Sequence, residues 1–370
     1  MTKDDVLKAL STVQEPDLKN DLVTLNMVRD IEIVDNNISF TVVLTTPACP
    51  LKELIQKDCI NAVQSMAGAG ANVQVSFTSS TTTLRADKNT VLQGVKNIIA
   101  VVSGKGGVGK STVSANLALA LAQGGATVGL LDADIYGPSV PIMFGVRGER
   151  PMMKEVNGKG MILPLDRYGI KLLSIGLLVD EKNAVVWRGP MASSAIRQFI
   201  TDVEWGELDY LVIDMPPGTG DIHLTLMQTA PVTGIVVVTT PQDVALADAK
   251  KGIAMFGQAQ LNVPIIGLVE NMSYFIAPGG GTESPGHKYY IFGKEGGKRL
   301  AEEYELPFLG QIPLVQSIRE GGDIGVPIMM SNDAISKNAF EEFAGVVARA
   351  ISMRNAHMRV EEVAEVVEER

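Results

Sequence analysis

Residues 103–112 read SGKGGVGKST. The segment follows an apolar run, IIAVV (98–102), and precedes STVSANLALALAQ (111–123), which has helical composition. It fits the pattern G-x-x-x-x-G-K-[ST] between a strand and a helix. Gly104, Gly106, Gly107 and Gly109 let backbone N–H groups, that of Val108 included, close around phosphate oxygens. The helix that opens at Ser111 and Thr112 adds its partial positive charge. In this setting Lys110 reaches the terminal phosphates and the Ser111 hydroxyl ligates Mg²⁺. One lysine suffices for that work, so Lys105 asks for a separate explanation.

Outward from this loop, short apolar runs alternate with helical stretches: TVGLL (127–131), YLVID (210–214), GIVVVTT (234–240) and IIGLVE (265–270). Runs apolar on both faces, spaced to leave room for a helix, predict parallel strands covered on both sides. The expected fold is therefore the α/β P-loop NTPase, a mostly parallel sheet with helices on both faces. Ligands in such sheets bind beyond the carboxyl ends of the strands. Two further strand ends carry carboxylates there: Asp132 and Asp134 in LLDADIYGPS, and Asp214 in YLVIDMPPGTGD. A carboxylate after a strand suits a water-mediated hold on Mg²⁺. Gly218 and Gly220 let the backbone approach a γ-phosphate. No N-K-x-D guanine reader is present, which favours ATP over GTP.

Residues 1–80 predict a small α/β domain: a helix from Asp4 to Leu10, a hairpin in IEIVDNNISFTVVL (31–44), a helix and a strand at VQVSF (73–77). On that second helix Leu51, Leu54, Ile55, Cys59, Ala62, Val63 and Met66 share one face. The polar, Thr/Ser-rich stretch that follows gives a linker at 81–96, the ATPase domain runs over 97–355, and 356–370 is an acidic C-terminal tail. With 46% hydrophobic and 20% charged residues the chain is globular, and its net charge of −10 argues against nucleic acid as a partner. No apolar run approaches the ~20 residues that span a bilayer, and MTKDDVLKAL lacks a signal-peptide core. The expectation is a cytoplasmic protein with no membrane partner. Two cysteines, Cys49 and Cys59, provide neither a disulfide framework nor a one-chain four-thiolate site.

GKGGVGKST resembles the deviant phosphate-loop motif of the dimeric ATPases that include MinD, ParA, the nitrogenase iron protein and the arsenite pump ATPase. DADIYGPSVPIMFG (132–145), DMPPGTGD (214–221), TTPQDVALADAKKG (239–252) and ENMSYF (270–275) together resemble one branch, the Mrp/ApbC iron–sulfur cluster carrier ATPases, over about residues 95–350. Residues 1–80, with LTTPACP (44–50), resemble the small SufT-type domain of iron–sulfur assembly proteins. The resemblance implies a homodimer that binds ATP and Mg²⁺ and passes iron–sulfur clusters to apoproteins or assembly partners. It implies that Lys105 reaches across the dimer to the partner's nucleotide, that Asp134 positions the attacking water, and that Asp214 holds Mg²⁺ through water. It also places Asn271 and Pro313 at the adenine.

The chain departs from that family at one point. Mrp-type carriers follow ENMSYF with C-P-x-C, and two such pairs supply the four thiolates of a bridging cluster. Here Ala277 and Gly280 stand in their place, with an insertion around 283–287, and neither side chain ligates iron. Cys49, in TPACPLKEL, precedes a helix whose expected first position is Pro50. A thiol there has its thiolate stabilised and its pKa lowered. Cys49 is thus either an iron–sulfur or other reactive ligand, or a partly buried cap. Cys59 reads as core, His287 as a solvated loop residue and His223 as facing the cleft. Two alternatives stand beside the carrier: a nucleotide-switch ATPase of the MinD/ParA kind, against which the acidic VEEVAEVVEER (360–370) argues, and a regulatory scaffold without a cluster.

Overall fold

The computed structural model describes residues 1–68, 70–83, 91–156, 158–179, 189–258, 261, 263–276 and 287–368, with side chains except at 189–190 and 357–368. The chain forms two compact units, one of residues 1–84 with 348–370 and one of residues 85–347.

In the first unit, helix α1 (Lys3–Leu10) starts at a capping box. The Thr2 hydroxyl accepts from the Asp5 N–H at 3.3 Å, and the Asp5 carboxylate accepts from the Thr2 N–H at 2.7 Å. Strands β1 (Val28–Val34) and β2 (Asn37–Leu44) pair antiparallel, and helix α2 (Lys52–Ala67) crosses over to β3 (Asn72–Ser79), which runs parallel to β2. Strand β2 alternates strictly, burying Ile38, Phe40, Val42 and Leu44 in one core with Ile55, Cys59 and Val63 of α2 and with Val6 and Leu10 of α1. The buried face of α2 is narrower than its apolar pattern predicts: Leu54 and Met66 are 46% and 48% exposed. A helix over a three-stranded sheet has cover on one side only, so the edges of its apolar stripe stay in water.

The second unit is built on an eight-stranded sheet. In chain order its strands are β4 (Val95–Val102), β5 (Val128–Asp132), β6 (Leu165–Arg167), β7 (Ile170–Ser174), β8 (Leu208–Asp214), β9 (Gly234–Thr239), β10 (Ile265–Glu270) and β11 (Phe308–Gln311). Their spatial order is β6-β7-β5-β8-β4-β9-β10-β11, and all are parallel except the edge strand β6. Every residue of β5 and β9 is buried, so both faces of the sheet are covered, as the apolar runs predict. The five apolar runs are β4, β5, β8, β9 and β10. The chain builds outward from β4 on one side to β5 and β7, and on the other to β9, β10 and β11. Strand β4 therefore lies at the reversal point, where such sheets open a crevice. Helix α3 (Lys110–Gln123) follows β4 directly through the glycine loop. The remaining helices described are α4 (Gly189–Thr201), α5 (Asp221–Thr229), α6 (Asp243–Phe256), α7 (Gly296–Glu303), α8 (Gln316–Ile324) and α9 (Ala334–Glu368), besides single turns such as Val140–Met143. The acidic tail is the continuation of α9. No helix of the described residues is long and apolar enough to cross a membrane.

The burial pattern of α2 separates two classes of apolar residue. Met66→Gln is expected to change unfolding free energy by less than about 0.5 kcal/mol, and Ile55→Ala to lower it by about 2–5 kcal/mol. Urea titration of the two variants checks both.

Candidate nucleotide site

The register of the sheet brings the site together. Asp214 is paired with Asp132 across β8 and β5, and Ser174 with Asp132 across β7 and β5, so three polar side chains stand in a row at adjacent strand ends. All three are fully buried. The glycine loop arches from β4 over this row. Gly107 and Gly109 take the left-handed conformation (φ 87° and 82°), which delivers Lys110 to the first position of α3. Gly104 packs so closely on α6 that a Cβ there would overlap the Asp248 carbonyl.

Lys110 is 6% exposed and points at the strand ends. Its Nζ donates to Asp214 Oδ1 at 2.8 Å and to Ser111 Oγ at 3.3 Å, and lies 3.7 Å from Asp134 Oδ2. Ser114, one turn after Lys110, donates from its hydroxyl to the same Asp214 oxygen at 2.7 Å. The other oxygen, Asp214 Oδ2, is buried with no hydrogen-bond partner. An orphaned carboxylate oxygen costs about 1–3 kcal/mol and calls for an occupant. Asp214 and Ser111, the two residues that the sequence assigns to Mg²⁺, both lie within hydrogen-bond reach of the Lys110 ammonium.

Asp132 accepts from the Ser174 hydroxyl at 2.9 Å and from the N–H groups of Asp134 (3.1 Å) and Val140 (3.3 Å). Burial first, and the neighbouring Asp214 carboxyl second, push its pKa up to about 8. Asp134 accepts from the N–H groups of Tyr136 and Gly137, both at 3.2 Å, so the turn after β5 is wound around its own carboxylate. Lys105 is exposed at the tip of the loop, its carbonyl held by the Ser103 hydroxyl at 3.0 Å.

Two adjoining cavities follow. One, of about 250 Å³, is lined by the loop from Lys105 to Thr112 and by Asp134, Ser139 and Pro217. The other, about 350 Å³, is lined by Thr112, Met143, Asn271, Pro313, Ile318 and Arg319 among others. Thr112, Ser139 and Met143 line both, so the two form one cleft. Asn271 and Pro313, expected at the adenine, both line the larger cavity, and the Asn271 amide donates to the Val108 carbonyl at 2.8 Å. Gly218 (φ 91°) donates its N–H to the Ser103 carbonyl at 2.9 Å. Ser114 and Ser174 escaped the sequence reading. Ser114 was legible as the residue four positions after Lys110 on the same helical face, whereas nothing in the sequence marks Ser174.

Three cysteine and histidine expectations need correction. Helix α2 begins at Lys52 with Leu51 as its cap, not at Pro50. Cys49 is half-buried, and burial pushes its thiol pKa up; the Leu51 N–H pulls the other way, and the nearby Glu15 and Asp17 carboxylates reinforce the rise. No thiolate is favoured there. Cys59 is fully buried, its thiol pushed up to about 12 by burial and Asp58, in keeping with a core role. His223 is buried and does not face the cleft. Residues 277–286, including Ala277 and Gly280, lie outside the described residues. Among the described residues no group of three or more His, Cys, Asp or Glu is arranged to hold a metal. Iodoacetamide should therefore alkylate Cys49 more slowly at pH 7.5 than it alkylates glutathione, with the rate rising only above the ordinary thiol pKa of about 8.5. Mass spectrometry of the native protein over a pH series checks this, and Cys59 should stay unmodified throughout.

Known proteins carry the same two-part organisation. Residues 94–349 match the family described as NUBPL iron-transfer P-loop NTPase, and residues 3–76 match that described as iron–sulfur cluster assembly protein. An iron–sulfur cluster carrier protein of Synechocystis is 49% identical over 356 residues, covering 95% of this chain and 99% of the relative. The protein of the same name from Escherichia coli K12 is 47% identical over 327 residues, covering 88% of this chain and 86% of its own. Among solved structures, a nucleotide-binding protein from Archaeoglobus fulgidus in complex with ADP is 40% identical, with a TM-score of 0.53 over 63% of this chain and 88% of that one.

Proposed function

This chain belongs to the NUBPL iron-transfer P-loop NTPases, and from that premise we propose that it is a Mg²⁺-dependent ATPase that carries iron–sulfur clusters to apoproteins as a homodimer. The observation that carries the reading is the buried triad of Lys110, Asp214 and Asp134 at the floor of the cleft. Without nucleotide the ammonium is neutralised by carboxylates. A triphosphate, with more negative charge and a cradle of backbone N–H groups, competes for it. As Lys110 turns to the phosphates, Asp214 gives up its cation and becomes available, with the Ser111 hydroxyl, to hold Mg²⁺. The ion's contribution when bound is to neutralise charge on the phosphate oxygens. Gly218 exchanges the Ser103 carbonyl for a phosphate oxygen, and Asp134 orients the attacking water. The larger cavity beside Asn271 and Pro313 takes the nucleoside. The complex with ADP formed by the Archaeoglobus relative supports a nucleotide in this cleft.

Lys105 has no ion pair among the described residues and stands out from the loop. In the homodimer it supplies a second cation to the partner's transferring phosphoryl group, where spread negative charge makes it most effective. Hydrolysis then depends on two chains meeting. Lys105→Ala should lower turnover by about 10³-fold or more while ATP binding stays near that of wild type; unchanged turnover would refute the trans role. Steady-state kinetics and equilibrium nucleotide titration measure the two quantities.

The cargo poses a different demand. Each chain has two cysteines, one of them sealed in the core. A cluster needs about four thiolates, so Cys49 is the one thiol this chain offers, and the protein that gives or receives the cluster supplies the rest. Anaerobic reconstitution of wild type and Cys49→Ala, counting iron per dimer, is the decisive experiment. Wild type should retain iron and the variant lose it. No iron on wild type would leave a nucleotide-switch ATPase or a regulatory scaffold in place of a carrier.

A further inference from the structure

Between Asp214 and α5 the chain reads Met-Pro-Pro-Gly-Thr-Gly (215–220). The two prolines have no N–H to donate. On the side of the phosphate loop the segment is tied twice, by the Met215 N–H to the Val101 carbonyl at 3.1 Å and by the Gly218 N–H to the Ser103 carbonyl at 2.9 Å. Between these two ties the carbonyl of Pro216, itself buried, lies against the first turn of α5. There it meets His223, whose Nε2 lies 3.0 Å from it. The ring is 1% exposed and lies against Phe256, with centroids 6.1 Å apart.

His223 Nδ1 also lies 3.3 Å from a carbonyl, that of Gly220. Burial lowers the pKa of this imidazole, so the neutral ring is the relevant form near pH 7. A neutral imidazole has a single N–H and can serve only one of the two oxygens. The Gly220 carbonyl already accepts the backbone N–H of His223 at 3.0 Å. The Pro216 carbonyl is the shorter contact. Satisfying both oxygens selects the Nε2–H tautomer, directed at Pro216.

We infer that His223 is a positioning residue for the ATP hydrolysis proposed above: by holding the Pro216 carbonyl, it fixes the loop that carries Asp214 on one side and Gly218 on the other. Pro216 is two residues from each. The ring touches neither nucleotide cavity, so it acts on the reacting groups only through the loop. Most of the binding contacts, those of the glycine loop and the start of α3, lie outside this segment, so a shift of the loop weighs more on turnover than on affinity. The inference rests on the ATPase reading, and the tests separate the two.

Glutamine places an N–H₂ near the position of Nε2, whereas asparagine reaches only that of Nδ1. His223→Gln should retain kcat within about threefold, and His223→Asn should lose about tenfold or more, since small misplacements of reacting groups cost up to about 10² in rate. Affinity for a non-hydrolysable ATP analogue should stay within about threefold in both. A histidine that merely fills the core would give the two amides equal turnover, or losses that follow thermal stability alone; either result overturns the inference. The wild-type chain supplies a second measurement that no unfolded variant can spoil. Imidazole ¹⁵N NMR of the nucleotide-free protein, with the His223 signals identified by their loss in His223→Gln, should show the Nε2–H tautomer, and an Nδ1–H tautomer would overturn it. A wild type that hydrolyses no ATP would sink the ATPase reading, while hydrolysis undiminished in His223→Asn would sink only the role of His223.

Discussion

The ion pair between Lys110 and Asp214, 2.8 Å long with Asp214 fully buried, is the constraint on which the second unit depends. Burying an ammonium and a carboxylate costs several kcal/mol per ion before their attraction offsets it. Here the offset is incomplete, because one Asp214 oxygen is left without a partner and Asp132 stands beside it as a second buried carboxyl. A pair of well-packed apolar residues would stabilise the fold as well or better. The arrangement makes sense in a nucleotide-binding cleft, where phosphates offer Lys110 more negative charge than one carboxylate does.

The fold supplies this constraint through register. In a parallel sheet the carboxyl ends of neighbouring strands align, so Ser174, Asp132 and Asp214 form a row without any long-range design in the loops. Strand β4 and its glycine loop then carry Lys110 over the row from the point where strand order reverses. The same alignment brings Asp132 and Asp214 close enough to repel, which adds to burial in raising the pKa of Asp132. The turn after β5 wraps Asp134, and the loop after β8 is tied both to Ser103 and to His223. Asp134 and Gly218 are thereby each held by hydrogen bonds to the backbone.

The first unit follows a different logic. Its one-sided sheet buries Cys59 and leaves Cys49 half-covered beside Glu15 and Asp17. Arg349, from the part of α9 that belongs to this unit, pairs with Asp17. Burial first, with the Glu15 and Asp17 carboxylates adding to it, raises the pKa of the Cys49 thiol. The contrast with the second unit is chemical: there, a lysine and glycines are arranged for anions, and here a half-buried thiol sits beside two carboxylates.

The phosphate loop, five of the parallel strands and the small N-terminal α/β region were legible in the sequence, because glycine spacing and two-faced apolar runs are local properties of the chain. Strands β7 and β11 were not; Lys171 interrupts the apolar run of β7 and β11 is only Phe-Leu-Gly-Gln, so their pairing with β5 and β10 defines them. Lys110, Ser111, Asp134 and Asp214 could be named from motif position, but that Lys110 rests on Asp214 follows from where the strands end in space. The thiol chemistry of Cys49 was misread for a related reason. Local sequence suggested a helix start at Pro50, whereas the helix begins two residues later and the thiol is governed first by burial, with carboxylates from residues 15 and 17 adding to it. His223 shows the same limit: its place after a glycine-rich loop suggested a cleft, and packing against Phe256 turned it inward. Sequence determined which groups exist and in what order, since those are properties of neighbours along the chain; tertiary structure decided which of them share a dielectric environment, since burial and partnership are set by residues a hundred positions apart.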